Sequence, residues 1–462
     1  MKEKYIAIGV MALVVAIGCA LHFYRIGYPD QPVFDEVHFA TYAADYATGH
    51  AFEDIHPPLG KLIFAAVLSL YPPGDLIGAN YIDFTHAPDG SLLLMPRAVP
   101  FGDFPYVALR VVSALFGIAL PVALYFLMRN LGAGPVPASL AATFALFDNA
   151  LLVNSRLILM DSMMLLFGVT ALALYFHRHR FAIAAGAFFG LALAVKLTAI
   201  VFVAPVAAAY LLALVASKKE RSEEFARAAR FAVVGFSVLA AVSLIGTFYF
   251  SPSARMQALH VSGFDQVFRT MPDAAAQAAH PFGTYLMADI GEMGFSVAGY
   301  TMGDAHDAES PWYFWPAMQS PISFYSPASG GAGGSITLTG NPVVWYGSTL
   351  AVIFALALLY RYGRDYIKHA ASRVRRYPFL ILLAGYVGAM APFILIVHRS
   401  TFLYHYFPAL VFAIGLLGWL IGEWLEVREW KNVTAPKAIV LAVILLIVIA
   451  GFLRMAPVTY GL

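Results

Sequence analysis

Between Val33 and Lys61 the chain reads VFDEVHFATYAADYATGHAFEDIHPPLGK, bringing Asp35, Glu36, Asp54, His38, His56 and Lys61 into one short stretch. Carboxylates beside imidazoles and a cation are equipped for general acid–base work. The stretch lies directly after an apolar run long enough to cross a bilayer. Ionisable groups are costly at such a boundary, so function is their default reading.

Local pattern says how these groups are carried. Pro32 precedes the Asp35-Glu36 pair, and neither Pro nor Gly recurs until Gly49, which predicts a helix with His38 or Phe39, Tyr42 and Tyr46 on one face. Two acids at a helix start also suit capping and the macrodipole, so a purely structural role stands beside the chemical one. That role leaves the second half unexplained. Pro57 and Pro58 bias the residues before them toward extended geometry, forcing Glu53 to Pro58 out of helix. Leu59 to Leu70 then resumes an apolar helix, expected to lie along the membrane surface.

The elements behind this stretch are set by composition. The chain of 462 residues is 60% hydrophobic and 12% charged, with a mean hydropathy of +0.73, so its solvent is largely lipid. A net charge of +2 without a dense basic run interleaved with aromatics gives no footing for nucleic acid. The one cysteine, Cys19, sits in an apolar run and says nothing of redox compartment.

About eleven apolar segments approach the length of a membrane span. They lie near 5–24, 106–127, 137–153, 159–176, 181–198, 199–216, 231–250, 344–360, 377–397, 407–424 and 438–456. Asn149, Asn154, Arg156, Asp161 and Lys196 interrupt the third to sixth, where short or broken helices are expected. A cytoplasmic N-terminus puts the basic clusters at 218–230, 361–376 and 428–437 inside, with Lys2, Lys4, Arg129, Arg178 and Arg180. The C-terminus then faces out. Two long segments, 25–105 and 251–343, also face outward and are rich in Pro, Gly and aromatics; ordered loops of this length are more often functional than decorative.

Other local signals are weaker. Gly18-Cys19-Ala20 faintly matches a cleavable signal, but the long run and the spans after it favour an uncleaved first helix. Asn432-Val433-Thr434 is a glycosylation sequon on the inner side. SGGAGG at 329–334 lacks the Lys-Ser/Thr of a phosphate loop and reads as a connector. No metal is expected, because His56, His86, His260, His280, His306 and His398 match no compact ligand spacing.

The first block resembles the signature of the protein O-mannosyltransferases. Further blocks follow in family order: YVALRVVSALFG (Tyr106 to Gly117), NSRLILMDS (Asn154 to Ser162), GLALAVKLTA (Gly190 to Ala199), SPWYFWP (Ser310 to Pro316), GNPVVWY (Gly340 to Tyr346) and HRSTFLYHYFPAL (His398 to Leu410). The resemblance implies an all-α polytopic membrane protein of GT-C type, one domain over 1–462, with short interfacial helices in its two outer loops. It also implies transfer of mannose, with inversion, from a dolichyl or other polyprenyl phosphate to Ser or Thr of a secreted or membrane protein. The setting would be the outer face of the plasma membrane. The leaving group is already a charged phosphate, so no further cofactor is obligatory.

By that likeness Asp35 is the base, with Glu36 raising its proton affinity or holding the acceptor. Arg399 and Lys196 are the preferred phosphate contacts. Arg110, Arg156, His56 and His405 are further candidates for phosphate or sugar, and Arg156 is also a candidate partner for Asp161. His38, Asp54, Trp312, Trp315 and Tyr404 are candidates for sugar or acceptor, although snorkelling, belt aromatics and packing explain several equally well. The segment 251–343 leaves no room for the β-trefoil MIR domain of eukaryotic members, as in a compact prokaryotic form. Two alternatives stay open: a lipid or glycan acceptor, and, more distantly, transport of a lipid-linked sugar or small solute, disfavoured by charge gathered at one face rather than at the midplane.

Overall fold

A computed structural model describes residues 2–52, 54–76, 79–86, 92–96, 99–214, 217–249, 309–327, 333–371, 378–397 and 400–462. Among these, eight helical stretches are long and apolar enough to cross a membrane, or nine if a bent pair is counted as one. The rim and the centre of the bundle are distinct. Only 11–17% of the apolar windows in Glu3–Phe23, Lys218–Gly246 and Ala435–Tyr460 is buried by protein, whereas Tyr106–Asn130, Pro378–Leu395 and Leu403–Trp424 are 61–67% buried.

In chain order the helices are α1 (Lys2–Phe23), α2 (Glu36–Thr48), α3 (Leu59–Leu68), α4 (Tyr106–Asn130), α5 (Pro135–Leu146), α6 (Asn149–Ser155), α7 (Asp161–His177), α8 (Ala182–Val195), α9 (Val203–Leu214), α10 (Lys218–Thr247), α11 (Pro342–Ala371), α12 (Pro378–Leu395), α13 (Phe407–Trp424) and α14 (Ala435–Tyr460). Two antiparallel ladders add to the helices expected in the outer loops. Strand β1 (Ile82–His86) pairs with β2 (Leu92–Pro96), and β3 (Ile322–Tyr325) with β4 (Ile336–Leu338).

Of the interrupted segments, the third is bent and the fourth and fifth are short helices, whereas Leu197–Leu214 is long enough to cross a membrane. Helices α5 and α6 meet at 59°, where Asp148 accepts from the Leu151 amide and so starts a new helix. Asn341 braces that corner: its amide donates to the Asp148 carboxylate, and its side chain donates to the carbonyls of Phe147 and Val448. Helix α8 stops at Val195; Lys196 is extended, and the chain continues as a 3-10 turn, Leu197–Phe202, into α9. Close helix contact in lipid depends on small residues. A Cβ on Gly190 of α8 would stand 2.4 Å from the Gly235 carbonyl of α10, so only glycine permits this approach.

Helix α2 forms as its pattern predicts and ends where Gly49 takes the left-handed conformation (φ 80). Its start is less ordinary. Phe34 has φ 51, a strained position for a non-glycine residue, and its ring stacks on Phe324 of β3 with centroids 4.3 Å apart. Asp35 follows directly on that turn, at the N-cap of α2.

Candidate active site

Asp35 occupies the N-cap of α2, yet its carboxylate makes no capping hydrogen bond. It lines a cavity of about 280 Å³ together with His56, Asp161, Lys196, Thr198, Tyr404 and His405. Much of the remaining lining is apolar: Leu197, Ile200 and Val201 from the broken α8–α9 connection, and Ala389, Pro392, Phe393, Ile396 and Val397 from α12 and its end. Groups from four distant parts of the sequence thus meet around one space.

Charge in the cavity is arranged unevenly. Lys196 donates to Asp161 at 2.9 Å, both side chains more than nine-tenths buried, and its ammonium lies 5.6 Å from the Tyr404 ring centroid. Burial pushes the Asp35 carboxyl above the usual carboxylate range, and the attraction of His38 and Lys196 only partly offsets it. Burial likewise lowers His56, to about 3, so its imidazole is neutral at physiological pH.

Glu36 is turned the other way. It is fully buried, paired with a fully buried Arg110, and also accepts from the amides of Val33 and Ile158. The remaining donors of Arg110 go to the carbonyls of Ile26, Pro29 and Gln31. Neither residue lines the cavity. Glu36 is therefore a bracket rather than a group facing substrate, and Arg110 has no donor left for a phosphate.

Other expectations are corrected in the same way. Arg156 does not pair with Asp161; it donates to the carbonyls of His22, Tyr24 and Thr459 and packs over the Tyr460 ring. Trp315 is fully buried, its indole nitrogen donating to Ser310, and it stacks beneath His405 at 6.2 Å rather than offering a face to a ligand. Trp312 is half-buried beside Tyr313, outside the cavity lining.

Asp54 and Lys61 hold the loop that carries His56. Lys61 donates to the Asp54 carboxylate and to the His56 carbonyl. Burial alone would raise Asp54, but Lys61, His56 and His38 outweigh it and hold the carboxyl below its ordinary value. His38, half-buried one turn into α2, adds its field to both Asp35 and Asp54. Arg399 and His398 lie outside the described residues, as do His260, His280, His306 and most of SGGAGG. Asp161 and Thr198 enter the cavity without having been singled out for it. The one available signal was their place beside interruptions in apolar runs.

Taken together, the cavity offers a base of raised proton affinity, a paired cation, a neutral imidazole and an apolar wall. Such a set can accept a proton, bind an anion and hold a hydrocarbon chain at once.

Known proteins resemble the chain along nearly its whole length. Residues 12–257 match the family described as dolichyl-phosphate-mannose-protein mannosyltransferase, and residues 293–462 match the C-terminal four-transmembrane region of protein O-mannosyltransferase. Dolichyl-phosphate-mannose–protein mannosyltransferase 4 of Schizosaccharomyces pombe is 31% identical over 168 residues, which is 35% of this chain and 19% of the relative. Protein O-mannosyltransferase 1 of Drosophila melanogaster is 33% identical over 180 residues, 38% of this chain and 19% of the relative. The matched stretch thus spans about a fifth of these relatives' length.

Among solved structures, the Saccharomyces cerevisiae Pmt1–Pmt2 complex bound to the sugar donor superposes with a TM-score of 0.75 at 17% identity, covering all of this chain and 90% of that one. The Archaeoglobus fulgidus oligosaccharyltransferase AglB, in complex with an inhibitory peptide and a dolichol-phosphate, gives 0.55 at 13%, covering 99% and 56%. The fold is the GT-C architecture.

Proposed function

Because the chain belongs to the dolichyl-phosphate-mannose-protein mannosyltransferase family, we propose that it moves mannose from a polyprenyl phosphate to Ser or Thr hydroxyls of secreted or membrane proteins, with inversion at the sugar carbon. The observation that carries this reading is Asp35: an uncapped helix-start carboxylate of raised proton affinity that shares one cavity with Lys196 and an apolar wall.

The step balances on the chain's own groups. The acceptor hydroxyl gives its proton to Asp35 as its oxygen bonds to the anomeric carbon, and the bond from that carbon to the phosphate oxygen breaks on the opposite face. The charge left on the lipid phosphate is met by Lys196, and by Arg399, which follows the cavity residue Val397 in the sequence. Asp161 holds the Lys196 ammonium in place at 2.9 Å. Neutral His56, with Tyr404 and His405, suits sugar hydroxyls, which need hydrogen bonds without net charge. The wall of Ile200, Val201, Pro392 and Ile396 suits the first isoprene units of the carrier. The site would sit at the outer face of the plasma membrane, with residues 25–105 and 251–343 as its outer loops and the N-terminus inside.

The test is purified protein in nanodiscs with polyprenyl-phosphate mannose and a Ser/Thr-rich peptide, read by mass spectrometry. Hexose additions to Ser or Thr support the reading. Hexose found only on a lipid or glycan, with the peptide unmodified, would move the protein to the alternative acceptor class.

A further inference from the structure

The far end of α4 carries a second concave surface. A groove of about 990 Å³ runs between α1, α4 and α7, lined by Val15, Leu115, Ala119, Phe126, Leu166 and Leu174 among other apolar groups. One end is polar. There Arg129, Asn130 and His177 join the lining, and exposed Arg180 lies over the ring of Phe181, which also lines the groove.

Lengths along α4 place this end. Arg110, bound to the loop that presents Asp35, and Arg129 are separated by about 28 Å at 1.5 Å per residue. That is close to the roughly 30 Å of a hydrocarbon core, so the polar end lies at the opposite membrane boundary from the Asp35 cavity. From Leu115 to Phe126 the apolar part runs about 16 Å, one leaflet deep.

We propose that the groove binds an anionic glycerophospholipid of that opposite leaflet, its acyl chains against α1, α4 and α7 and its phosphate at Arg129 and Arg180. Charge complementarity selects the head group: exposed Arg129 lines the mouth, exposed Arg180 stands beside it over the Phe181 ring, and Asn130 and His177 supply polar groups. The His177 ring is held by Nδ1 to Asn130 Oδ1 at 3.0 Å, and Asn130 in turn donates to the Ala173 carbonyl, so the mouth is built rather than adventitious. The proposal does not depend on the transferase reading.

Native mass spectrometry of the detergent-purified protein, titrated with phosphatidylglycerol or with phosphatidylcholine of the same chains, tests it. One phosphatidylglycerol is retained in preference to phosphatidylcholine, and Arg129→Ala or Arg180→Gln each weakens it about five-fold. Arg129 also donates to the Ala133 carbonyl, so its replacement can disturb the helix end. Ala119→Phe keeps every charge, fills the groove and expels the lipid. Equal retention of the two lipids, or phosphatidylglycerol binding unchanged in Arg180→Gln and Ala119→Phe, overturns the proposal. So does a dimer of the chain that Ala119→Phe dissociates without any lipid adduct.

Discussion

Glu36 and Arg110 are joined by two charge-assisted hydrogen bonds, Nε to Oε1 at 2.8 Å and a terminal guanidinium nitrogen to Oε2 at 2.7 Å, with no solvent exposure on either side chain. The pair fastens the start of α2 to α4, and the Ile158 amide fastens it to the turn before α7. The acid beside it is thereby fixed where the start of α2 meets α4 and the turn before α7.

Replacing Glu36 by alanine strands a buried guanidinium and is expected to cost about 3–5 kcal/mol of stability. Thermal unfolding in detergent checks this. A loss no larger than that of an exposed substitution such as Glu223→Ala contradicts the bracket.

Asp35 behaves in the opposite sense. Its folded-state pKa lies above the unfolded value, so the folded protein holds a proton that the unfolded chain has lost, and stability falls as pH rises from the ordinary carboxylate range through the raised one. Asp35→Asn is expected to melt higher than the parent at pH 7.5, with the gap closing below about pH 4. A lower melting temperature at pH 7.5 contradicts it.

The same raised affinity sets the acid limb of the transfer reaction. Log kcat/KM against pH is expected to break above the usual carboxylate range of about 4. A rate flat down to pH 4.5 is the contrary result.

Asp54 has the reverse linkage. Its pair with Lys61 contributes stability above the unfolded carboxylate pKa, and that contribution is lost as pH falls through the depressed folded value. Asp54→Asn is expected to destabilise at pH 7 and to flatten the acid side of the melting curve. Melting temperatures from pH 3 to 7 decide the matter.

How far the sequence disclosed all this depends on range. Asp35 and His56 stood out because both lie in one contiguous stretch at a membrane boundary, and Lys196 because a lysine breaks an apolar run. What separates Asp35 from Glu36 is the partner set of Glu36, Arg110 with the Val33 and Ile158 amides, which leaves Asp35 to the cavity and depends on distant packing that the local pattern does not encode. The exchange of partners, Lys196 for Arg156 at Asp161, depends on how distant spans pack. Arg110, Arg156, Lys196 and Arg399 were alike as candidate phosphate contacts in sequence; packing commits Arg110 to Glu36 and backbone carbonyls and Arg156 to backbone carbonyls, and leaves Lys196 in the cavity. The small ladders β1–β2 and β3–β4 were hidden in stretches where Pro and Gly dominate the pattern.

The most direct test is the initial rate of mannosyl transfer to a Ser/Thr peptide by Asp35→Asn, measured beside donor binding to the same preparation. The predicted result is a loss of about 10²–10⁴-fold or more in transfer with donor affinity retained. Transfer near the parent rate by a correctly folded Asp35→Asn protein would contradict the assignment of that carboxylate as the base.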